Sequence, residues 1–416
     1  MRRGENHLTG FECIRCGRKY RPDEVTYTCP DCGGNLDAGY DYQAIARVIS
    51  RATLAADAEQ SVWRYRPFLP LTLAESPISL RVGLTPLTRA ANLGRDLGLE
   101  RFYLKNDWLN PSGSFKDRAS FVILAHCLGA DIKHISAAST GNAGTSMACL
   151  AAAAGMPAVI FIPHTAPRPK IAQLLTYGAR AVLVRGDYGQ AFDLCEKVST
   201  RLGWFNRNTG TNPYTREGKK TVSYEIWEQL GYNPPEWVAV SVGDGNIISG
   251  VYKGFYDLKQ AGLTDRVPRL LGVQAAGSAA IAQAFHGDGV IRRVEAHTIA
   301  DSISATMPSD GEAALKAVRR SRGTFVAVDD EEILDSLRLL AEREGVFAEP
   351  SGVAALAGVI RLVREKTIGN DESVVLIVTG SGLKDVESAL KVAGRPLTVD
   401  PDPEEAVRLF LDQPPL

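Results

Sequence analysis

Four cysteines near the start of the chain fall into two pairs, Cys13-Ile14-Arg15-Cys16 and Cys29-Pro30-Asp31-Cys32, with twelve residues between them. Gly17 follows the first pair and Gly33-Gly34 the second. A single Cys-x-x-Cys is compatible with redox or unligated core thiols. Two such turns within forty residues have the spacing of a zinc ribbon, in which four thiolates close a tetrahedral Zn2+ site. With sulfur at Cys13, Cys16, Cys29 and Cys32, no coordination position is left for substrate, so the metal is expected to be structural and away from the chemistry. A second kind of chemistry is offered by Asn110-Pro111-Ser112-Gly113-Ser114-Phe115-Lys116-Asp117-Arg118, a turn that leads into a helix at Lys116. A lysine in such a turn is ordinarily solvated. To act as a nucleophile it must be partly buried, with its pKa lowered so that the neutral amine attacks a carbonyl. Composition and spacing alone do not choose Lys116 over Lys105, Lys170 or Lys384.

Three junctions have the make-up of anion sites at helix starts. Ser139-Thr140-Gly141-Asn142 opens the Ala-rich stretch 143–154 and reads either as a carboxylate site or as a plain N-cap. Gly243-Asp244-Gly245-Asn246 follows an apolar run, and its two glycines can form a nest of N–H groups around a phosphate. Its spacing is not the Gly-x-Gly-x-x-Gly of a dinucleotide site, and Asp244 is an unusual neighbour for an anion. Thr379-Gly380-Ser381-Gly382 is a turn whose Thr379 hydroxyl can meet a ring nitrogen.

The elements that position these groups are legible as short apolar runs alternating with Ala- and Leu-rich stretches from about 83 to 385. Runs at 157–163, 181–184, 237–242 and 374–378 are continuous apolar strands, and 188–202 is an amphipathic helix. That alternation predicts parallel sheets covered on both faces. Pro-containing segments at 66–70 and 395–403 read as connecting or terminal stretches, with Pro414-Pro415 fraying at the end. Lys plus Arg (47) and Asp plus Glu (48) nearly cancel, which offers no broad basic surface for nucleic acid or an anionic membrane. No run approaches a membrane span and no signal peptide is evident, so a cytoplasmic location is expected. Seven cysteines, an odd number with metal-type spacing, do not form a secreted disulfide framework.

The motif 110–118 resembles the pyridoxal-phosphate lysine motif of the threonine synthase family. Gly83-Leu84-Thr85-Pro86-Leu87, Ser139-Thr140-Gly141-Asn142, Phe347-Ala348-Glu349-Pro350 and 379–385 follow that family's order at similar spacing. The resemblance covers roughly 10–385 and includes the N-terminal cysteines. It implies an α/β protein of the fold type II (tryptophan synthase β-like) architecture, two parallel-sheet domains with the cofactor in the cleft between them. The expected divisions are a zinc-ribbon-like segment (1–40), a large cofactor domain (75–119 and 216–400), a small α/β domain (120–215) and a tail (401–416). Carried over, Lys116 forms the Schiff base and moves protons. Asn142 meets the cofactor's phenolic oxygen, Gly243, Asp244, Gly245 and Asn246 take its phosphate, and Thr379 meets its ring nitrogen. Ser139 and Thr140 help to hold the substrate carboxylate. The implied activity is that of a lyase of amino-acid biosynthesis, converting O-phosphohomoserine and water to threonine and phosphate. The implied partners are a small amino-acid substrate and, as the assembly allowed for, a second copy of the chain in a homodimer.

Departures from the family pattern concern the substrate. The usual Asn-Pro-x-Arg-x-Glu-Gly-Gln-Lys-Thr is here Asn212-Pro213-Tyr214-Thr215-Arg216-Glu217-Gly218-Lys219-Lys220-Thr221. A second family arginine is Ser304, and the phosphate loop is one residue shorter than Gly-Asn-Ala-Gly-Asn. Arg207 or Arg216 is the candidate to supply the lost charge. The stretch 349–355 is closer to threonine or serine ammonia-lyases, which form the alternative reading together with a β-replacement enzyme. A zinc-ribbon adaptor without catalysis is the reading from another class, opposed by the intact lysine motif and Gly-rich loops.

Overall fold

In the computed structural model, described residues run from 5 to 412 without 140, 165, 167 and 187, and without the side chains of 188, 409, 410 and 412. Thr140 and Pro414-Pro415 therefore lie outside the described residues.

The chain opens with β1 (Leu8–Cys13), β2 (Lys19–Tyr20) and β3 (Leu36–Tyr40), an antiparallel sheet in the order β2-β1-β3. It continues through β4 (Leu87–Arg89) and β5 (Arg101–Asn106). It then leaves for β6 (Ile135–Ala138), β7 (Ala158–Pro163), β8 (Arg180–Val184) and β9 (Phe205–Asn206), and returns with β10 (Trp237–Ser241), β11 (Arg269–Ala275), β12 (Thr324–Val328) and β13 (Ser373–Val378). Among the described residues these make a four-stranded sheet β8-β7-β6-β9 and a six-stranded sheet β12-β11-β10-β13-β5-β4. All pairings in the two sheets are parallel except that of the edge strand β4 with β5.

Every residue of β6, β7, β10 and β13 is buried. Continuous apolar runs demand that outcome, because a parallel strand covered by helices on both faces has no solvent side on which to place polar residues. Helix Pro350–Arg364 packs on β10, β11 and β13. Its Gly358 is what lets it lie so close, since a Cβ there would stand 2.3 Å from Val273.

The segment at 66–70 is not the loose connector expected. Val62–Phe68 forms a short 3-10 helix in which Trp63, Tyr65 and Phe68 are buried, and the Phe68 ring stacks on Tyr224 at 4.8 Å. The aromatic side chains outweigh Pro67 as a signal, because their burial yields more than an exposed turn would. The C-terminal stretch carries a helix, Pro403–Asp412, with proline in its first turn, where its missing N–H costs nothing.

Candidate active site

The Lys116 turn is fixed from below by a buried ionic cluster. Arg118, the second residue of helix Asp117–Gly129, grips Asp107 (2.6 and 2.7 Å) and Glu225 (2.5 and 2.8 Å), and Lys105 joins Glu225 at 2.7 Å. All four side chains are fully buried. The Thr85 hydroxyl donates to Asp107, the Lys105 ammonium to the Thr85 carbonyl, and the Gly83 N–H to the Asn110 side chain. The 83–87 motif is thus a brace for the lysine turn. Asp117 receives both the N–H and the hydroxyl of Ser112 (2.7 and 2.5 Å) and closes the turn across Gly113, whose φ is +79°. From the side, Gly218 admits helix Tyr214–Lys219 to within touching distance of the same helix: its Cβ would stand 2.2 Å from the Arg118 carbonyl oxygen.

The lysine turn is also stitched to the turn after β13. Phe115 N–H donates to the Thr379 carbonyl (2.9 Å), Ser381 N–H to that of Gly113 (3.1 Å), and Ser114 bridges Gly380. Glu349 N–H donates to the Gly380 carbonyl, and the Asn142 amide donates to the Glu349 carboxylate at 2.5 Å. In this way the Lys116 turn meets the Thr379 turn directly, and Glu349 links the Thr379 turn to Asn142.

Burial pushes the Lys116 ammonium down to about 8, with Glu349, Arg207, Asp244 and Lys170 as the nearby charges acting on it. Burial likewise lowers Lys219 well below the usual lysine range, reinforced by the positive charges of Lys116 and Arg207. The Glu349 carboxyl is raised by burial. Asn142 Oδ1 and Glu349 Oε2 are buried without a hydrogen-bond partner among the described atoms. Both are acceptors, so the group that fills the place must offer a donor, since an unsatisfied buried acceptor is costly. Pyridoxal phosphate can offer one at its phenol O–H or its protonated ring nitrogen, and in that form these residues fit it.

The Gly243–Asn246 loop is a tight connection. Gly245 has φ +90°, and a Cβ on it would meet Ala314 at 2.8 Å and the Asp310 carbonyl oxygen at 2.9 Å. Asp244, the unexpected neighbour, accepts the Asp310 N–H on its carbonyl (2.9 Å) and the Ser309 N–H on its carboxylate (3.1 Å). The Ser139 hydroxyl accepts the N–H groups of Gly141 (3.2 Å) and Gly144 (2.9 Å); the N-cap of helix Asn142–Ala153 is Gly141, so Ser139 serves the helix start from two residues before the cap rather than as a plain N-cap.

Arg207 is buried and donates to the Thr209 hydroxyl at 2.8 Å. Arg216 is committed elsewhere, which corrects its expected part in substrate binding. Its guanidinium holds Asp310 (2.5 Å), Asp37 (3.2 Å), the Leu36 carbonyl (2.9 Å) and Ser249 (3.2 Å), so all three nitrogens are used within the protein. The sequence reading gave no role to Lys219, although the signal was present: it stands where the family pattern has Gln, in the same stretch that lost the arginine. Lys170 was also passed over. It is ion-paired with Asp301, and Gly141 approaches its ammonium so closely that a Cβ would be 3.3 Å away.

At the N-terminus the sulfurs of Cys13, Cys16, Cys29 and Cys32 lie within 4.8 Å of one another. Gly17 and Gly33 close the two turns with N–H bonds to the carbonyls of Cys13 and Cys29, both glycines having positive φ.

Residues 78–380 match the model of the family described as pyridoxal-phosphate dependent enzymes. The threonine synthases of Methanocaldococcus jannaschii and Methanosarcina acetivorans are each 37% identical over 393 residues, covering 94% of this chain and 96% of theirs. That of Mycobacterium tuberculosis is 36% identical over 342 residues, covering 81% of this chain and 92% of its own. Among solved structures, the processed form of threonine deaminase isoform 2 from Solanum lycopersicum superposes with TM-score 0.65 at 24% identity, covering 74% of this chain and 82% of that one. Maize serine racemase does so with TM-score 0.65 at 25% identity, covering 74% and 90%.

Proposed function

Since the chain belongs to the pyridoxal-phosphate dependent enzymes, we propose that it is the lyase that converts O-phosphohomoserine and water to threonine and phosphate. The observation that carries this reading is the likeness to threonine synthases over 94% of the chain. The buried Lys116 agrees with it. Bound pyridoxal phosphate supplies the electron sink that stabilises negative charge next to the amino-bearing carbon. Lys116 would hold it covalently and, as an amine with a pKa near 8, take up and return protons at the substrate's Cα and at Cβ or Cγ. Asn142 is assigned to the phenolic oxygen, Thr379 to the ring nitrogen, and the backbone of Gly243, Asp244, Gly245 and Asn246 to the phosphate. Ser139, Thr140 and the start of helix Asn142–Ala153 are assigned to the substrate carboxylate.

With Arg216 committed to Asp310, the substrate phosphate falls to Arg207 and Lys219, both buried and both acting electrostatically on the Lys116 region. An arriving phosphate restores the charged form of Lys219 that burial disfavours. A second reading, threonine or serine deamination, is favoured by the commitment of Arg216 and the loss of family arginines at Thr215 and Ser304. Incubation with O-phosphohomoserine, threonine, serine and O-phosphoserine, scoring phosphate and 2-oxo acid separately, decides between them. Phosphate and threonine in equal amounts support the first reading; 2-oxo acid from threonine without phosphate from O-phosphohomoserine replaces it by the second.

The four thiols are assigned to one structural Zn2+, supported by their mutual distances. The domain divisions proposed are 1–40, 75–119 with 216–400, 120–215 and a tail 401–416; the gathering of the strands into three separate sheets supports the first three. A homodimer and a cytoplasmic location complete the proposal; no helix of the described residues is long and apolar enough to cross a membrane.

A further inference from the structure

The four-cysteine segment is tied to the Gly243–Asn246 loop around a buried carboxylate, that of Asp310, with Ser309 and Arg216 beside it. Asn35 stands three residues after Cys32, and its carbonyl accepts the Ile14 N–H (2.9 Å) inside the first Cys-x-x-Cys turn. Its side-chain amide leaves the segment and donates to the Ser309 carbonyl (2.7 Å) and to Asp310 Oδ1 (2.8 Å). Arg216 makes a second link, from the Leu36 carbonyl to the same Oδ1. The other oxygen, Asp310 Oδ2, accepts the Asn246 amide (2.8 Å) and the Ser249 hydroxyl (2.8 Å), in the first turn of helix Asn246–Gln260. The Asp310 N–H holds the Asp244 carbonyl, and the Ser309 N–H holds the Asp244 carboxylate. One face of Asp310 thus belongs to the cysteine segment and the other to the glycine loop, with Asp310 itself 1% exposed.

We infer that Asn35 and Asp310 are positioning residues through which an intact four-cysteine segment sets the affinity of the Gly243–Asn246 loop for the cofactor phosphate. The expectation of a metal site without bearing on the chemistry changes accordingly. The inference rests on the reading of Gly243–Asn246 as the phosphate loop. Two other contacts of the segment, Arg15 with Glu312 at 2.7 Å and Lys316 with the Ile14 carbonyl, lie on the exposed side of helix Gly311–Arg320 and bypass Asp310.

Binding of pyridoxal 5'-phosphate to the full-length apoprotein, followed by cofactor absorbance, tests the inference together with amide hydrogen exchange. Asn35→Ala is expected to weaken binding roughly fivefold to tenfold, the scale of one ordinary hydrogen bond, since the loss reaches the loop only by way of Ser309 and Asp310, and to speed exchange at 243–249 ahead of the rest of the molecule. Chelation of the metal should do the same, and Lys316→Ala, which removes a contact on the exposed side of helix Gly311–Arg320, should do neither. Gly245→Ala probes the loop directly and should weaken binding in any case. If Gly245→Ala weakens binding while Asn35→Ala and the chelated protein bind as the native protein does, the coupling is wrong and the loop reading stands. Faster exchange everywhere with no preference for 243–249 likewise overturns the coupling. If Gly245→Ala has no effect, the loop reading falls and takes the inference with it.

Discussion

Lys116 owes its chemistry to a cost. Burial destabilises its ammonium and brings the pKa down to about 8. The sign of the resulting pH dependence follows directly: below about pH 8 the neutral, nucleophilic fraction falls tenfold per unit, and above it the fraction is saturated. The rate at which apoprotein takes up pyridoxal phosphate should therefore rise with pH and level off between pH 8 and 9. A rate still climbing through pH 10, as an ordinary lysine would give, contradicts the assignment. At the substrate end, Lys219→Gln restores the family's residue but removes a buried cation. It should raise KM for O-phosphohomoserine by roughly tenfold to a hundredfold, since a hydrogen bond to a charged group contributes about 1.5–3 kcal/mol, and leave the affinity for pyridoxal phosphate nearly unchanged. A loss of cofactor affinity as large as the rise in KM would mean that Lys219, whose ammonium donates to Asn246 at 2.6 Å, serves the cofactor's phosphate loop instead. The lysine itself was legible because a whole motif surrounds it. Lys219 and Glu349 were harder to single out, because buried charges become conspicuous only when their neighbours are known.

Among the elements, helix Asp117–Gly129 matters most, since it begins directly after Lys116, the lysine proposed to carry the cofactor, and is held by Arg118, Asp107, Glu225 and Lys105. Removing one partner from a buried ion pair leaves the others uncompensated, at about 3–5 kcal/mol. Glu225→Ala should lower unfolding stability by that amount in urea titrations and loosen the cofactor with it; a loss below about 1 kcal/mol would show that water reaches the cluster. The strands at 158–163, 180–184, 237–241 and 373–378 could be anticipated to within a residue or two, because continuous apolar runs between glycines and prolines admit few alternatives. The 3-10 helix at 62–68 could not. Its Pro67 signals a turn locally, and only contact with Tyr224 and Glu228 makes it part of the core.

For the molecule as a whole, the order β12-β11-β10-β13-β5-β4 returns the chain to the side of its own β5, which brings the Thr379 turn against the Lys116 turn across 263 residues of sequence. Local patterns cannot encode that meeting, and the ordered motifs of the family resemblance anticipated it where periodicity could not. The same holds for Arg216. On sequence alone it replaces a missing arginine, whereas in the fold it locks the N-terminal segment to Asp310. Metal analysis should find about one zinc per chain, the stoichiometry of a single four-thiolate site; none after purification without chelators would leave the cysteines as free thiols. The central claim is that this fold exists to hold pyridoxal phosphate on Lys116. Borohydride reduction of the cofactor-loaded protein, followed by peptide mapping, tests it most directly. The label should fall on the peptide containing Lys116 and vanish in a Lys116→Ala protein that remains folded; label on Lys105, Lys170, Lys219 or Lys384 instead would contradict the account.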